Sequence, residues 1–136
     1  METSKDPKKL ILWQKADELF HMVCRDTKAW PDQRVAKAIV FQLLNAAGSI
    51  SANIAEGYGR GSPKEFEQFL RFSRGSLAET DSWLSKAHQQ NLLSDQRWSE
   101  YALRLEELRK ISGAFISALR RQSSCAPARS LDRSIA

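Results

Sequence analysis

Two cysteines, Cys24 and Cys125, are too few to build a disulfide framework; one falls in a predicted helix and the other in a Ser/Ala/Pro-rich tail. That usage suits a reduced protein, and the chain is expected to be cytoplasmic. Two histidines, His21 and His88, leave no pairing of a base with any of the many serines, so nucleophilic catalysis is not expected. A helical bundle can host a di-metal site built from Glu-x-x-His motifs, and Glu18-Leu-Phe-His21 matches one. The second copy is missing, because Ser85 stands three residues before His88, and the inward stripes described below carry no carboxylate. No metal, cofactor or small-molecule substrate is predicted. The polar N-terminus and the lack of any apolar run approaching roughly 20 residues predict neither secretion nor a membrane span. Strand signals and internal repeats are also lacking.

What is present is helix. The 136 residues are 42% hydrophobic and 27% charged, which fits one globular domain with a sizeable core. Leu12, Ala16, Leu19 and Val23 recur at helical spacing between about Pro7 and Lys28, and Trp30-Pro31-Asp32 closes that segment. A second helix is predicted from Asp32 to Glu56, with Ala36, Val40, Leu43, Ala47, Ile50 and Ile54 inward. Its second half is rich in small residues, which favours close helix packing. The third follows a glycine-rich turn and puts Phe66, Leu70, Ser73, Leu77, Thr80, Leu84 and Ala87 on one stripe. Asn91 should stop it, and Ser94 or Asp95 should start a fourth helix inward at Trp98, Tyr101, Leu105, Leu108, Ser112, Phe115 and Leu119. Helices with short connections imply an all-α, antiparallel up-down-up-down four-helix bundle over residues 9–122, between a flexible N-terminus, 1–8, and a flexible C-terminal tail, 123–136.

The stretch from Gly48 to Leu84 organises the chain as a helical hairpin. The first arm should end at Gly57, and Ser62-Pro63-Lys64-Glu65 should start the next with a cap, a first-turn proline and a reciprocal glutamate. Folding one arm on the other sets Ile54 near Phe66, Ile50 near Leu70 and Ala47 near Ser73. A second apolar band on the third helix, Phe69, Phe72, Ser76 and Trp83, lies about 100° around from the first. Phe69, Phe72 and Trp83 therefore sit either at the bundle margin or in a subunit interface.

A formal net charge of +5 and a pI of about 9.5 permit a polyanionic partner. The loop from Gly57 to Lys64 offers glycines and cations to an anion, but it lacks the Gly-Lys-Ser/Thr of a Walker motif and follows no strand. Around the hairpin, Asn53, Glu56, Gly57, Ser62 and Glu65 read as structural. Arg71 and Arg74 are either partners in ion pairs or ligand contacts. The candidate nucleic-acid contacts are Arg60, Lys64, Arg71, Arg74, Arg120 and Arg121. No aromatic-plus-basic recognition motif interleaves them, so sequence-specific readout is not expected.

Ser49-Ile, Asn53-Ile-Ala-Glu-Gly57, Arg60, Ser62, Glu65-Phe66, Phe69-Leu70, Ser73-Arg-Gly-Ser76 and Glu79 resemble the 23S rRNA intervening-sequence proteins over most of residues 9–121. Members of that family are encoded within bacterial 23S rRNA genes or stand alone. They are similar in fold to the accessory protein of diversity-generating retroelements, a basic cyclic pentamer that binds nucleic acid and a reverse transcriptase. The resemblance implies an up-down bundle assembled as a ring, perhaps of five, with no established enzymatic activity. The leading expectation is a homo-oligomeric scaffold for RNA or for a nucleic-acid-processing partner; the alternative is a protein-interaction module that binds no nucleic acid.

Overall fold

A computed structural model describes residues 6–125. Four helices carry almost all of them: α1 at Ile11–Thr27, α2 at Arg34–Gly59, α3 at Pro63–Gln89 and α4 at Asp95–Cys125. No strand occurs among the described residues. The helices pack as a bundle in which α2 and α3 make the most extensive contact and α1 and α4 the least. Residue pairings run in opposite directions across the seams. Ser73 of α3 meets Ile50 of α2 while Phe66 and Phe69 meet Gly57. Asp81 and Glu67 of α3 meet Arg109 and Arg120 of α4, and Asp26, Glu18 and Lys15 of α1 meet Arg97, Arg104 and Glu107 of α4.

The stripes read from spacing are the core with two exceptions. Val40 and Trp98 are only half-buried, while Ile39, Ala46, Met22 and Ile116 are buried in addition. The polar members of the α3 stripe are satisfied, since the Ser73 hydroxyl donates to the Ile50 carbonyl at 2.9 Å and the Thr80 hydroxyl to the Ser76 carbonyl at 2.8 Å. Burying a hydroxyl without such a partner costs about 1–3 kcal/mol.

Helix ends moved from their expected places for local reasons. Pro7–Lys9 forms a 3-10 turn in which Asp6 accepts the Lys8 N–H at 3.0 Å, so α1 starts only at Ile11. The amide oxygen of Gln33 accepts the Ala36 N–H at 3.2 Å and sets the start of α2 at Arg34. The α2 helix runs through Gly57 to Gly59, and the hairpin register therefore lies about one turn further along than expected: Ser73 sits against Ile50, where Ala47 was foreseen. Asn91 does stop α3. At φ 63° it occupies the left-handed position of a Schellman motif, with Leu92 N–H donating to Ala87 and Asn91 N–H to His88. Ser94 is the cap of α4, accepting the Arg97 N–H at 3.0 Å. The α4 helix continues to Cys125, so the expected tail from residue 123 falls partly in helix, and its remainder lies outside the described residues.

One expectation about membranes needs correction. By length and by a mean hydropathy of 1.4 over its most apolar window, α2 does reach the composition of a membrane span. Alanine, glycine and serine fill its second half, and such residues lift the average without forming a visibly apolar run. In the bundle one side of α2, from Ala36 to Ile54, packs into the core.

Candidate nucleic-acid and subunit interface

The hairpin is built by close approach. A Cβ placed on Gly57 would stand 2.5 Å from Phe69 Cβ and 3.0 Å from Phe66 Cδ1, so only glycine admits α3 here. Ser62 caps α3 by accepting the Glu65 N–H at 3.1 Å, and Pro63 occupies the first turn. Instead of closing a reciprocal cap, the Glu65 carboxylate lies 3.9 Å from Arg60. Arg60 also pairs with Glu56 at 2.8 Å, and its guanidinium sits 5.0 Å above the Phe69 ring. Asn53 stays within its own helix, donating to the Ser49 carbonyl at 2.8 Å. Because α2 continues through Gly59, the loop is too short to form the phosphate cradle its glycines suggest; only Gly61, at φ +83°, takes a left-handed turn.

The two flanks of α3 differ in chemistry. Toward α2 lie the aromatics. Phe69 is half-buried beneath Arg60, Phe72 meets it edge-on at 5.4 Å and is 49% exposed, and Trp83 is half-buried under Lys86. Toward α4 lie the cations. Arg71 and Arg120, from two helices, converge on one oxygen of Glu67, at 2.8 and 3.3 Å. Burial works to raise the Glu67 carboxyl, but the hydrogen bonds and charges of the two guanidiniums outweigh it and hold its pKa below the usual range. Lys64 stands one turn before them, and Arg74 follows at the next turn; Arg109 adds a further cation, paired with Asp81 and Glu106. Arg121 is exposed on the outer side of α4. Lys64, Arg74 and Arg121 make no ion pair among the described residues. The six candidate cations are thus split: Arg60 belongs to the aromatic flank, and Lys64, Arg71, Arg74 and Arg120 share the α3–α4 seam.

Two features escaped the sequence. The first is a charged lock between α1 and α4. Arg97 donates to both oxygens of Asp26, at 2.6 and 3.1 Å, and the Tyr101 hydroxyl donates to Asp26 at 2.7 Å. Burial favours the neutral Asp26 carboxyl, yet these hydrogen bonds and the neighbouring charges of Arg97 and Arg25 leave its pKa lowered. Burial, then the hydrogen bond to Asp26, pushes the Tyr101 phenol upward. Beside the lock an open groove of about 1110 Å³ is bridged by Lys15–Glu107 at 2.9 Å and Arg104–Glu18 at 3.5 Å. Asp26 and Arg97 lie near adjoining ends of α1 and α4 in an up-down bundle, which is the one cue that could have paired them. The second feature is an apolar groove of about 410 Å³ where α1 passes into α2, lined by Trp30, Pro31, Ala36, Val40, Phe41 and Leu44. Phe41, 65% exposed, lies off the buried stripe and so carried no periodic signal.

No group of three potential metal ligands occurs among the described residues. Glu18 pairs with Arg104, His21 with Asp17, and His88 stacks on Trp98 at 4.3 Å while bonding Asp95 at 2.6 Å.

Taken together, the fold and these surfaces define a basic, all-α four-helix bundle with a cation seam and an uncovered aromatic flank. Its sequence matches the family of 23S rRNA-intervening sequence proteins over residues 8–114, and the chain belongs to that family. No curated protein matches the chain.

Proposed function

We propose that the protein is a non-catalytic, homo-oligomeric bundle, forming a ring for which five subunits are favoured, that works in the cytoplasm as a scaffold for RNA or for a nucleic-acid-processing partner. The observation that carries this reading is the alignment of Lys64, Arg71, Arg74 and Arg120 along one seam, with Lys64 and Arg74 free of carboxylate partners among the described residues. Such a ridge suits a phosphate backbone and reads no base edges, so binding is electrostatic and tolerant of sequence. Repetition around a ring multiplies the field. The family match supports a connection with 23S rRNA genes through its name alone.

The test is binding of a structured RNA across a salt series, with Lys64→Ala/Arg74→Ala alongside. Affinity of the native protein should fall steeply with salt, and the variant should lose affinity and reduce the log–log slope by about one for each phosphate contact removed. Unchanged affinity and slope in the variant removes the seam from the account. No binding at low salt favours the second reading, a protein-interaction module. That reading takes its support from the pairing of Arg60, Arg71, Arg109 and Arg120 with carboxylates of the same chain.

A further inference from the structure

We propose that the apolar groove between Trp30 and Leu44 receives the aromatic flank of α3 from a second copy of this chain, so that subunits join head to tail through two different surfaces. This rests on the oligomeric reading above and specifies its contact. A closed ring needs two distinct, complementary patches on each subunit, whereas a two-fold dimer uses one patch against itself. The bundle has two such patches on adjacent faces. One is the stripe of Phe69, Phe72 and Trp83 beside the α2–α3 seam; the other is the groove at the α1–α2 end, with Phe41 at its lip.

Three observations favour a second copy as the occupant. The patches stand at matching heights: the Ser73–Ile50 and Phe66–Gly57 contacts fix the α2–α3 register, and continuing it puts Phe41 level with Trp83. Rotation about an axis parallel to the bundle preserves height, so neighbouring subunits would bring these two levels together. The rims are complementary in charge, since Lys86 lies 5.7 Å from the Trp83 ring and Asp32, 84% exposed, borders the groove. The available area is also adequate. A two-helix face roughly 40 Å long and roughly 20 Å wide supplies about 800 Å² per partner, the size of a standard stable interface.

The experiment uses the full chain with Phe41→Lys and Phe72→Lys, both at exposed sites, with helicity checked by circular dichroism and mass by light scattering. Native protein should assemble, and each variant alone should fall to the 15.4 kDa protomer. An equimolar mixture of the two should form a one-to-one heterodimer, because one copy keeps an intact stripe and the other an intact groove. Assembly of Phe41→Lys like the native protein overturns the proposal while leaving the oligomeric reading in place. So does assembly of Phe72→Lys, or failure of the mixed variants to associate. A native protein that is monomeric at micromolar concentration overturns both.

Discussion

Replacing Gly57 by alanine tests whether close helix approach sets the hairpin. Mid-helix glycine is worse than alanine by about 0.8–1.0 kcal/mol, so on propensity alone the change should stabilise. The structure opposes it: the new Cβ would stand 2.5 Å from Phe69 Cβ and 3.4 Å from Phe66 Cα, atoms that cannot rotate away. Carbon atoms pack best at about 3.5–4.0 Å, so α2 and α3 must part by roughly 1 Å at their tightest point. That movement loosens the edge contacts of Phe66 with Tyr58 and Phe115. Overpacking of this kind costs about 1–3 kcal/mol and strain on main-chain atoms belongs at the upper end, so a net loss of about 2 kcal/mol is expected after the propensity gain. The control is Gly75→Ala, where nothing lies within 4 Å of the added methyl and a gain of about 0.5–1 kcal/mol should appear. Urea denaturation followed at 222 nm, at one fixed protein concentration because association adds to apparent stability, measures both. If Gly57→Ala gains stability as Gly75→Ala does, the close-approach reasoning is wrong.

Two further outcomes are expected. Asp26→Asn should cost about 1.5–3 kcal/mol at neutral pH, because a part-buried carboxylate loses its charge-assisted bonds to Arg97 and Tyr101. The Asp26 pKa is lowered in the folded chain, so the lock's contribution is complete above the ordinary carboxylate range near 4 and fades as pH falls through the lower folded value. The stability difference between native protein and variant should therefore shrink in acid; a difference independent of pH would show that the charge is not what matters. At the α3–α4 turn, Asn91→Ala should lose about 1 kcal/mol by thermal denaturation and Asn91→Gly nothing, since φ 63° suits glycine and strains alanine. Equal midpoints for the two variants would contradict that view of the turn.

Particular residues show where sequence reasoning reached and where it stopped. The inward stripes were legible because burial in a helix repeats every 3.6 residues, and Ser73 and Thr80 could be placed inside by position despite their polarity. Ser62, Pro63, Asn91 and Ser94 were legible because caps and breakers act through neighbours in the chain. The end of α2 was misread by the same kind of rule. Gly57 looks like a stop, yet its missing side chain answers Phe66 and Phe69 of another helix, and that requirement has no local signature.

The sequence by itself determined the helices, their inward faces and the aromatic band left over on α3, all consequences of periodicity and capping within single segments. The tertiary structure decided which charges meet. It tied Arg71 and Arg120 to Glu67, turned Arg60 toward Phe69, left Lys64 and Arg74 open, and joined Asp26 to Arg97 and Tyr101. Side-chain pairing across helices depends on their relative height and rotation, and those are set by packing at points such as Gly57, far in sequence from the charges they align.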